Sequence, residues 1–175
     1  MPAKTNERIA AIRVEQRLDP PEWALLQQQL MELLNRSAAE FYDKYVLPDG
    51  TLRWRSEWPG MDGSDDPYEG FMNLALLYVL GGDPQLYDKA RKVFEGITWQ
   101  WTEYGQIYRE FDAYYDWMHH GEGCLFLYFL GLADSDSLRD RQRARRFADM
   151  YTGNDPEAPN YDRENKLIRS PINGS

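Results

Sequence analysis

The stretch that decides the fold is "WPGMDGSDDPYEGFMNLALLYVLGG", from Trp58 to Gly82. Its second half, from about Gly70 to Leu80, is apolar on nearly every side, which is typical of a helix that is buried all round. Carboxylates at the mouth of a buried helix cost free energy unless water, a cation or a substrate satisfies them. The first half is a loop, punctuated by glycine and proline, that carries four of them: Asp62, Asp65, Asp66 and Glu69.

An amphipathic helix is predicted on each side of this buried helix. Before it, Asp19-Pro20-Pro21-Glu22 indicates a helix start, and apolar residues then recur at helical spacing from Trp23 to Phe41. After it, a Gly-Gly pair ends the buried helix, and a further helix begins at Asp83-Pro84. That helix has one charged face and one apolar face, the latter formed by Leu86, Ala90, Val93, Ile97 and Trp101.

The order of a buried helix followed by an amphipathic one occurs again further along the chain. "LYVLGG" at 77–82 is matched by "LYFLGL" at 127–132, an offset of fifty residues, and self-similarity at this period is typical of stacked supersecondary units. Apolar helices inside and amphipathic helices outside, as in an α/α toroid, produce this alternation. We therefore predict an all-α fold of helical hairpins, with residues 1–18 as a polar extension and residues 19–175 as the domain. The second amphipathic helix is expected to face inward through Leu138, Ala144, Phe147 and Tyr151, with "RDRQRARR" from Arg139 in solvent.

Composition excludes several classes of function. The net charge of −9 argues against nucleic acid and against anionic membrane surfaces as partners. The N-terminus has no apolar core of a secretory signal, and no apolar stretch approaches the roughly 20 residues that span a bilayer. A single cysteine, Cys124, excludes an internal disulfide and fits a reducing compartment. We therefore expect a cytoplasmic protein.

A second cluster of acidic and aromatic residues precedes the second buried helix. The segment "REFDAYYDWMHHGEG", residues 109–123, contains the only two histidines of the chain. If the buried helices run parallel, the loops before them converge on one rim, and both clusters face the same bowl. The members of this second cluster that we single out are Asp112, Tyr115, Asp116, Trp117, His119, His120 and Glu122.

Paired carboxylates are what glycosidic bond cleavage requires, because one protonates the leaving oxygen and the other acts as base or nucleophile. Helix N-termini and neighbouring acids push the two pKa values apart and so separate the roles. We assign Asp112 or Asp116 as the acid/base and Asp62 or Asp65 as its partner. The predicted substrate-binding residues, of which the tryptophans would stack on sugar rings, are Trp58, Asp66, Tyr68, Glu69, Tyr115, Trp117, His119, His120 and Glu122.

Other interpretations of the same residues are possible. Acids at helix starts are ordinary capping groups, so the alternative function is a non-catalytic helical scaffold or a fragment without activity. His119 and His120 could bind a metal with Asp116 or Glu122, but adjacent histidines point in different directions. The acidic loop lacks the glycine and glutamate positions of an EF-hand, and Pro67 interrupts a pattern that echoes prenyl-diphosphate enzymes. We therefore expect no metal and no cofactor.

Two strings carry a resemblance to a family: "EWPGMDGSDDPYEGFMNLALLYVLGG" and "ITWQWTEYGQIYREFDAYYDWMHHGEG". They resemble uncharacterised bacterial proteins of the α/α-toroid type, which are similar to glycoside hydrolases and to unsaturated-uronyl hydrolases. The resemblance implies a carbohydrate ligand; in the uronyl hydrolases an Asp, as general acid and base, hydrates the double bond of an unsaturated sugar. Such toroids contain more helical pairs than this chain supplies. We therefore expect an incomplete barrel whose apolar flank is covered by a C-terminal continuation, a second copy of the chain or the N-terminal extension.

Overall fold

The computed structural model describes residues 18–53, 66–104, 107–108, 112–113, 117–156 and 161–168. Helices dominate these residues: α1 (Glu22–Tyr45), α2 (Asp66–Val79), α3 (Gln85–Glu103), α4 (Trp117–Ala133) and α5 (Leu138–Thr152). Two short antiparallel hairpins add β1 (Ile107–Tyr108) with β2 (Asp112–Ala113), and β3 (Tyr161–Asp162) with β4 (Leu167–Ile168). The predominantly helical fold predicted from the sequence is confirmed. No helix among the described residues is both long and apolar enough to cross a membrane.

Helices α2 and α4 run in the same direction. Tyr78, in the last turn of α2, stacks on Tyr87 at the start of α3, with ring centroids 5.4 Å apart. The Tyr87 hydroxyl also donates to Asp134, which directly follows α4, over 3.2 Å. Because α2 and α4 both end beside the start of α3, they are parallel to each other and antiparallel to α3. They pack along each other more extensively than any other pair of helices among the described elements.

Helices α1, α3 and α5 run the opposite way. Arg91 of α3 pairs with Asp140 of α5, and one turn further along both helices Glu95 pairs with Arg143. The contacts therefore advance together, as they do between parallel helices. Helix α1 is antiparallel to α2, because Asn35 bonds Asp83 beyond the end of α2 whereas Phe41 contacts Phe71 near its start. The five helices thus alternate in direction along the described chain.

The core lies where α3 packs between α2 and α4. The apolar stripe predicted for α3 is fully buried, from Leu86 to Trp101. Phe94 lies at its centre, with the Phe126 ring of α4 edge-on at 5.1 Å and the Tyr68 ring of α2 at 5.5 Å. Cys124 is also buried, in α4. Helical periodicity therefore identified the centre of the fold correctly.

The buried positions of α2 and α4 do not correspond at the fifty-residue offset that their sequence similarity suggests. The fifty-residue offset pairs Tyr78 with Tyr128, but Tyr78 packs against the core whereas Tyr128 is exposed. The buried positions of α2 correspond instead to positions two residues further along α4. Phe71, Leu74 and Ala75 thus match Gly123, Phe126 and Leu127. The burial patterns of the two helices are therefore offset by two residues from their sequence match.

Two faces predicted to be buried are open. Helix α1 forms as predicted, yet Trp23 is 67% and Leu30 is 53% exposed. Helix α2 is not covered on every side, because Val79 and Leu80 are exposed at its end. Between α1 and α2 lies an apolar groove of about 550 Å³, lined mainly by Leu34, Ser37, Ala38, Phe41, Gly70, Leu74, Leu77 and Leu80.

Helix α5 follows the prediction from Ala144 onward, where Phe147 is buried and Ala144 and Tyr151 pack against the core, but departs from it in the first turn. Leu138, predicted to face inward, is 63% exposed, whereas Asp140 and Arg143 are buried. The prediction that this charged run lies wholly in solvent was therefore wrong. The helix begins where Ser137 caps it, with its hydroxyl accepting from the Asp140 backbone N–H over 3.3 Å. Ion pairing to α3 replaces the expected apolar contact of the first turn of α5.

Candidate functional site

Both predicted clusters precede helices that start at the same end of the bundle. Because α2 and α4 are parallel, their N-termini lie together at the end where α3 finishes. Helix α2 begins at Asp66, one turn earlier than predicted, and has Glu69 in its first turn. Both carboxylates are partly buried there, and the partial positive charge of a helix N-terminus favours them. We call this end of the bundle the acidic end.

Tyr68 anchors the start of α2 in the core. Its side chain is 3% exposed, and its hydroxyl lies 2.9 Å from the Thr98 hydroxyl. Thr98 in turn donates to the Phe94 carbonyl over 2.8 Å, so the Tyr68 hydroxyl is the donor to Thr98. The aromatic contacts of Tyr68 reach both α3 and α4. The residue that we predicted to contact a substrate therefore holds α2 in position, a role that sequence reasoning missed.

The chain before α2 is fastened to the last turns of α3. The Gln100 side chain accepts from the Leu52 backbone N–H over 2.8 Å and donates to the Leu52 carbonyl over 3.2 Å. Leu52 also forms an antiparallel bridge with Val46. The described residues on either side of residues 54–65 therefore lie at the acidic end: Leu52 beside Gln100, and Asp66 at the start of α2.

A direct backbone contact brings this turn onto α3. Gly50 has a positive φ of 95°, and a Cβ atom at Gly96 of α3 would overlap the Gly50 carbonyl. Only glycine at position 96 permits this approach. In the same turn, Asp49 accepts from the backbone N–H and the hydroxyl of Thr51 over 2.9 Å and 2.7 Å. Those bonds hold the pKa of Asp49 below its ordinary value.

The β1–β2 hairpin connects the end of α3 to the start of α4. Asp112 pairs with Tyr108 across it, so the backbone of this predicted catalytic residue lies between those two helix ends. The backbone of four more predicted residues forms the first two turns of α4: Trp117, His119, His120 and Glu122. The remaining predicted site residues lie outside the described residues: Trp58, Asp62, Asp65, Tyr115 and Asp116.

A cavity of about 450 Å³ opens beside the second turn of α4. Its described lining consists of Gly121 of α4, Phe147 and Tyr151 of α5, and Ile168 of β4. The two aromatic rings meet edge-on with centroids 5.1 Å apart. Because α5 is antiparallel to α4, its last turn lies at the acidic end too. Both rings were assigned to the core from the sequence. The only signal of a cavity in the sequence was that two aromatic residues one turn apart would lie opposite a glycine.

The β3–β4 hairpin forms one wall of this cavity and is held against the end of α5. Gly153 ends α5 in the left-handed conformation, with a φ of 76°. The Tyr161 ring packs where a side chain at Gly153 would lie, and the Arg163 guanidinium donates to the Gly153 carbonyl. This docking sets the position of Ile168 against the aromatic pair.

Two ion pairs between α3 and α5 lie away from the acidic end and have a structural role. Arg143 donates to Glu95 over 2.6 Å, and Arg91 donates to Asp140 over 2.8 Å. Asp140 is 3% exposed, so its charge requires a partner, which Arg91 supplies. These pairs fasten α5 to α3.

No group of three or more His, Cys, Asp or Glu side chains within the described ranges is placed to hold a metal ion. No curated protein and no solved structure shows significant similarity to the chain. A family profile matches residues 10–175, nearly the whole chain, and its description is Domain of unknown function (DUF8034). The chain is therefore a member of the DUF8034 family.

Proposed function

We propose that this chain binds a carbohydrate at the acidic end and acts on it through paired carboxylates, as a glycoside hydrolase does. The observation that carries the proposal is the parallel direction of α2 and α4. Asp65 directly precedes α2, and Asp116 directly precedes α4. Two acids fifty-one positions apart in sequence therefore adjoin neighbouring helix starts.

The aromatic cavity beside Gly121 supports a sugar as the ligand. Pyranose rings have flat apolar faces that pack on aromatic rings, and Phe147 and Tyr151 supply such surfaces within a volume of about 450 Å³. Trp117 lies one turn before Gly121 on the same face of α4, which places a third aromatic residue at this position of the helix. The carboxylates that precede α2 and α4 would then flank a bound sugar.

In this proposal the two clusters divide the chemistry. Asp112 or Asp116 donates a proton to the glycosidic oxygen, and Asp62 or Asp65 serves as base or nucleophile. The histidines and Glu122 orient the sugar. Hydration of an unsaturated uronyl residue by one Asp is the variant that the family resemblance suggests. The alternating helix directions support an α/α-toroid arrangement as the scaffold of this site.

A non-catalytic scaffold is the alternative, and Tyr68 favours it at one position. Tyr68 was predicted to contact a substrate, but its side chain is buried in the core. Acids such as Asp66 are well placed to act as ordinary charges at a helix N-terminus. The alternative predicts that removing the acids changes stability rather than activity.

The proposal is tested with a panel of oligosaccharides that includes unsaturated uronides, followed by release of reducing ends and by loss of the double-bond absorbance. We expect Asp65→Asn and Asp116→Asn each to lower kcat/KM by about 1,000-fold on any substrate found, with little change in Tm. The control is Asp88→Asn, because Asp88 is an exposed acid in the first turn of α3, at the opposite end of the bundle. The scaffold alternative is favoured if the wild type binds no glycan. It is also favoured if both acid variants have a lower Tm with unchanged turnover.

A further inference from the structure

Helix α1 has two distinct faces, and only one of them contacts the rest of the described molecule. The inward face follows Met31, Asn35, Ala38 and Tyr42. A second apolar stripe lies to one side of it and is exposed. We call this stripe the α1 seam; it consists of Trp23, Leu26, Leu30 and Leu33.

The spacing of the α1 seam is that of a helix that pairs with another helix. Its residues are separated by three, four and three positions, which is the a and d pattern of a coiled coil. Exposed Leu34 and Phe41 extend the apolar surface toward the groove with α2. Seam and extension together leave roughly 600 Å² of apolar side chain uncovered, against about 800 Å² per partner in a stable interface. The flanking polar side chains would supply much of the difference.

The residues beside the seam identify the partner as a second copy. Gln27 and Gln29 flank its centre, so the same surface from another chain brings no like charges together there. Glu22 and Arg36 are exposed at its two ends and carry opposite charges. In an antiparallel pair, the Glu22 end of each copy meets the Arg36 end of the other. The stripe is therefore complementary to itself in heptad spacing and in charge.

We propose that two copies of this chain associate through an antiparallel pair of α1 helices. In the register that the heptad positions define, Leu26 of each copy packs against Leu30 of the other, and Trp23 against Leu33. Glu22 of each copy then faces Arg36 of the other, once at each end. Tryptophan and arginine are the residues that most often dominate binding energy at interfaces. This interface is independent of the proposed carbohydrate site.

Sedimentation equilibrium of the whole 175-residue chain tests the proposal, with wild type expected at twice the 20.6 kDa chain mass. Leu30→Glu places two charges at the centre of the interface and should weaken association by at least about 100-fold. Leu25→Glu is the matched control, because Leu25 is a similarly exposed leucine of α1 that lies off the seam. It should leave the dimer intact. Circular dichroism checks that both variants keep their helical content.

A charge exchange tests the antiparallel register separately. Arg36→Glu should weaken the dimer several-fold, since it sets like charges together at both ends, and adding Glu22→Arg should restore association. A monomeric wild type would overturn the proposal. This includes the case in which residues 1–17 cover the seam, so that a hydrophobic dye binds only after these residues are removed. Equal dissociation by Leu25→Glu and Leu30→Glu, or no rescue by the double exchange, would overturn the stated interface.

Discussion

Helices α1 and α3 have the same kind of sequence pattern and very different surroundings. Each has apolar residues at helical spacing on one face and charged residues on another. In α3 the apolar stripe is completely buried, and its charged side chains pair with α1 on one side and α5 on the other. In α1 the apolar stripe is exposed, and burial falls on a narrower face around Tyr42.

The difference shows that periodicity determines where a helix can bury surface, not whether a neighbour covers it. Helix α3 is preceded and followed by helices that return along it, so its stripe is covered on both sides. The contacts of α1 with α2 and α3 include Asn35, Phe41 and Asp43, which all lie in its second half. An uncovered stripe of this size is characteristic of an interaction surface.

The largest expected effect compares a core residue of α3 with an exposed one of α1. Phe94→Ala should lower the free energy of unfolding by about 3–5 kcal/mol, because it removes the ring that contacts both Tyr68 and Phe126. Leu25→Ala should change it by less than about 1 kcal/mol, since that side chain is already largely in water. Urea denaturation measures both. Similar losses in the two variants would contradict the different environments of the two helices.

Much of the fold could be predicted from the sequence, because its helices are strongly periodic. The boundaries of α1 and the buried stripe of α3 agree with the predictions, and the Gly81 turn ends α2 close to the predicted position. The burial of charged residues in the first turns of α5 could not be predicted, because it depends on ion pairs between residues far apart in sequence. Arg143 belongs to a run that is typical of a solvated face, and its pairing with Glu95 on α3 makes its burial favourable.

A glycine pair tests the backbone contact by which α3 holds the turn after α1. Gly96→Ala should destabilise the protein by about 2–3 kcal/mol, because its methyl group overlaps the Gly50 carbonyl, which cannot move independently of the turn. Gly131→Ala in α4 is the control, since nothing lies within 4 Å of an added Cβ there. It should be neutral or stabilising by up to about 1 kcal/mol. Thermal unfolding should show a clear difference in stability between the two variants. An unchanged stability of Gly96→Ala would contradict the close contact between Gly96 and Gly50.

The smallest effect concerns the charged face of α3 and depends on pH. Burial alone raises the pKa of Glu95, but the hydrogen bonds from Arg143 and the charges of Arg143 and Arg139 outweigh it. The pKa of Glu95 is therefore held below its ordinary value of 4.5. Because the folded-state pKa is lowered, this carboxylate stabilises the fold above pH 4.5, and the contribution is lost as the pH falls through the folded-state pKa.

Glu95→Gln should therefore cost about 1–2 kcal/mol near neutral pH, a modest value because the side chain is partly exposed. Its difference from wild type should narrow in acid. Glu32→Gln, at an exposed glutamate of α1, is the control variant and is measured in the same way. Urea titrations at neutral and acidic pH measure the difference, and a constant gap for Glu95→Gln would argue against the ion pair.

The candidate site was predictable in outline only. The acidic segments could be located because acids, glycines and aromatics are concentrated before two apolar helices. The parallel direction of those helices was an inference from the repeat, and the contacts of Tyr87 bear it out. Tyr68 was misassigned, because a tyrosine among acids has the same pattern whether its hydroxyl meets a ligand or Thr98. The cavity beside Gly121 depends on the β3–β4 hairpin, which the sequence did not indicate.

The central claim is that the acidic segment before α2 and the acidic segment before α4 lie at the same end of the bundle. A pulsed EPR distance between nitroxides at Asp65→Cys and Asp116→Cys tests it without knowledge of the substrate, in a background where Cys124→Ala removes the native thiol. Parallel α2 and α4 predict a distance below about 20 Å, because each label directly precedes a helix that starts at the acidic end. A distance above about 25 Å, the separation expected if the two segments lay at opposite ends of helices of 14 and 17 residues, would contradict it.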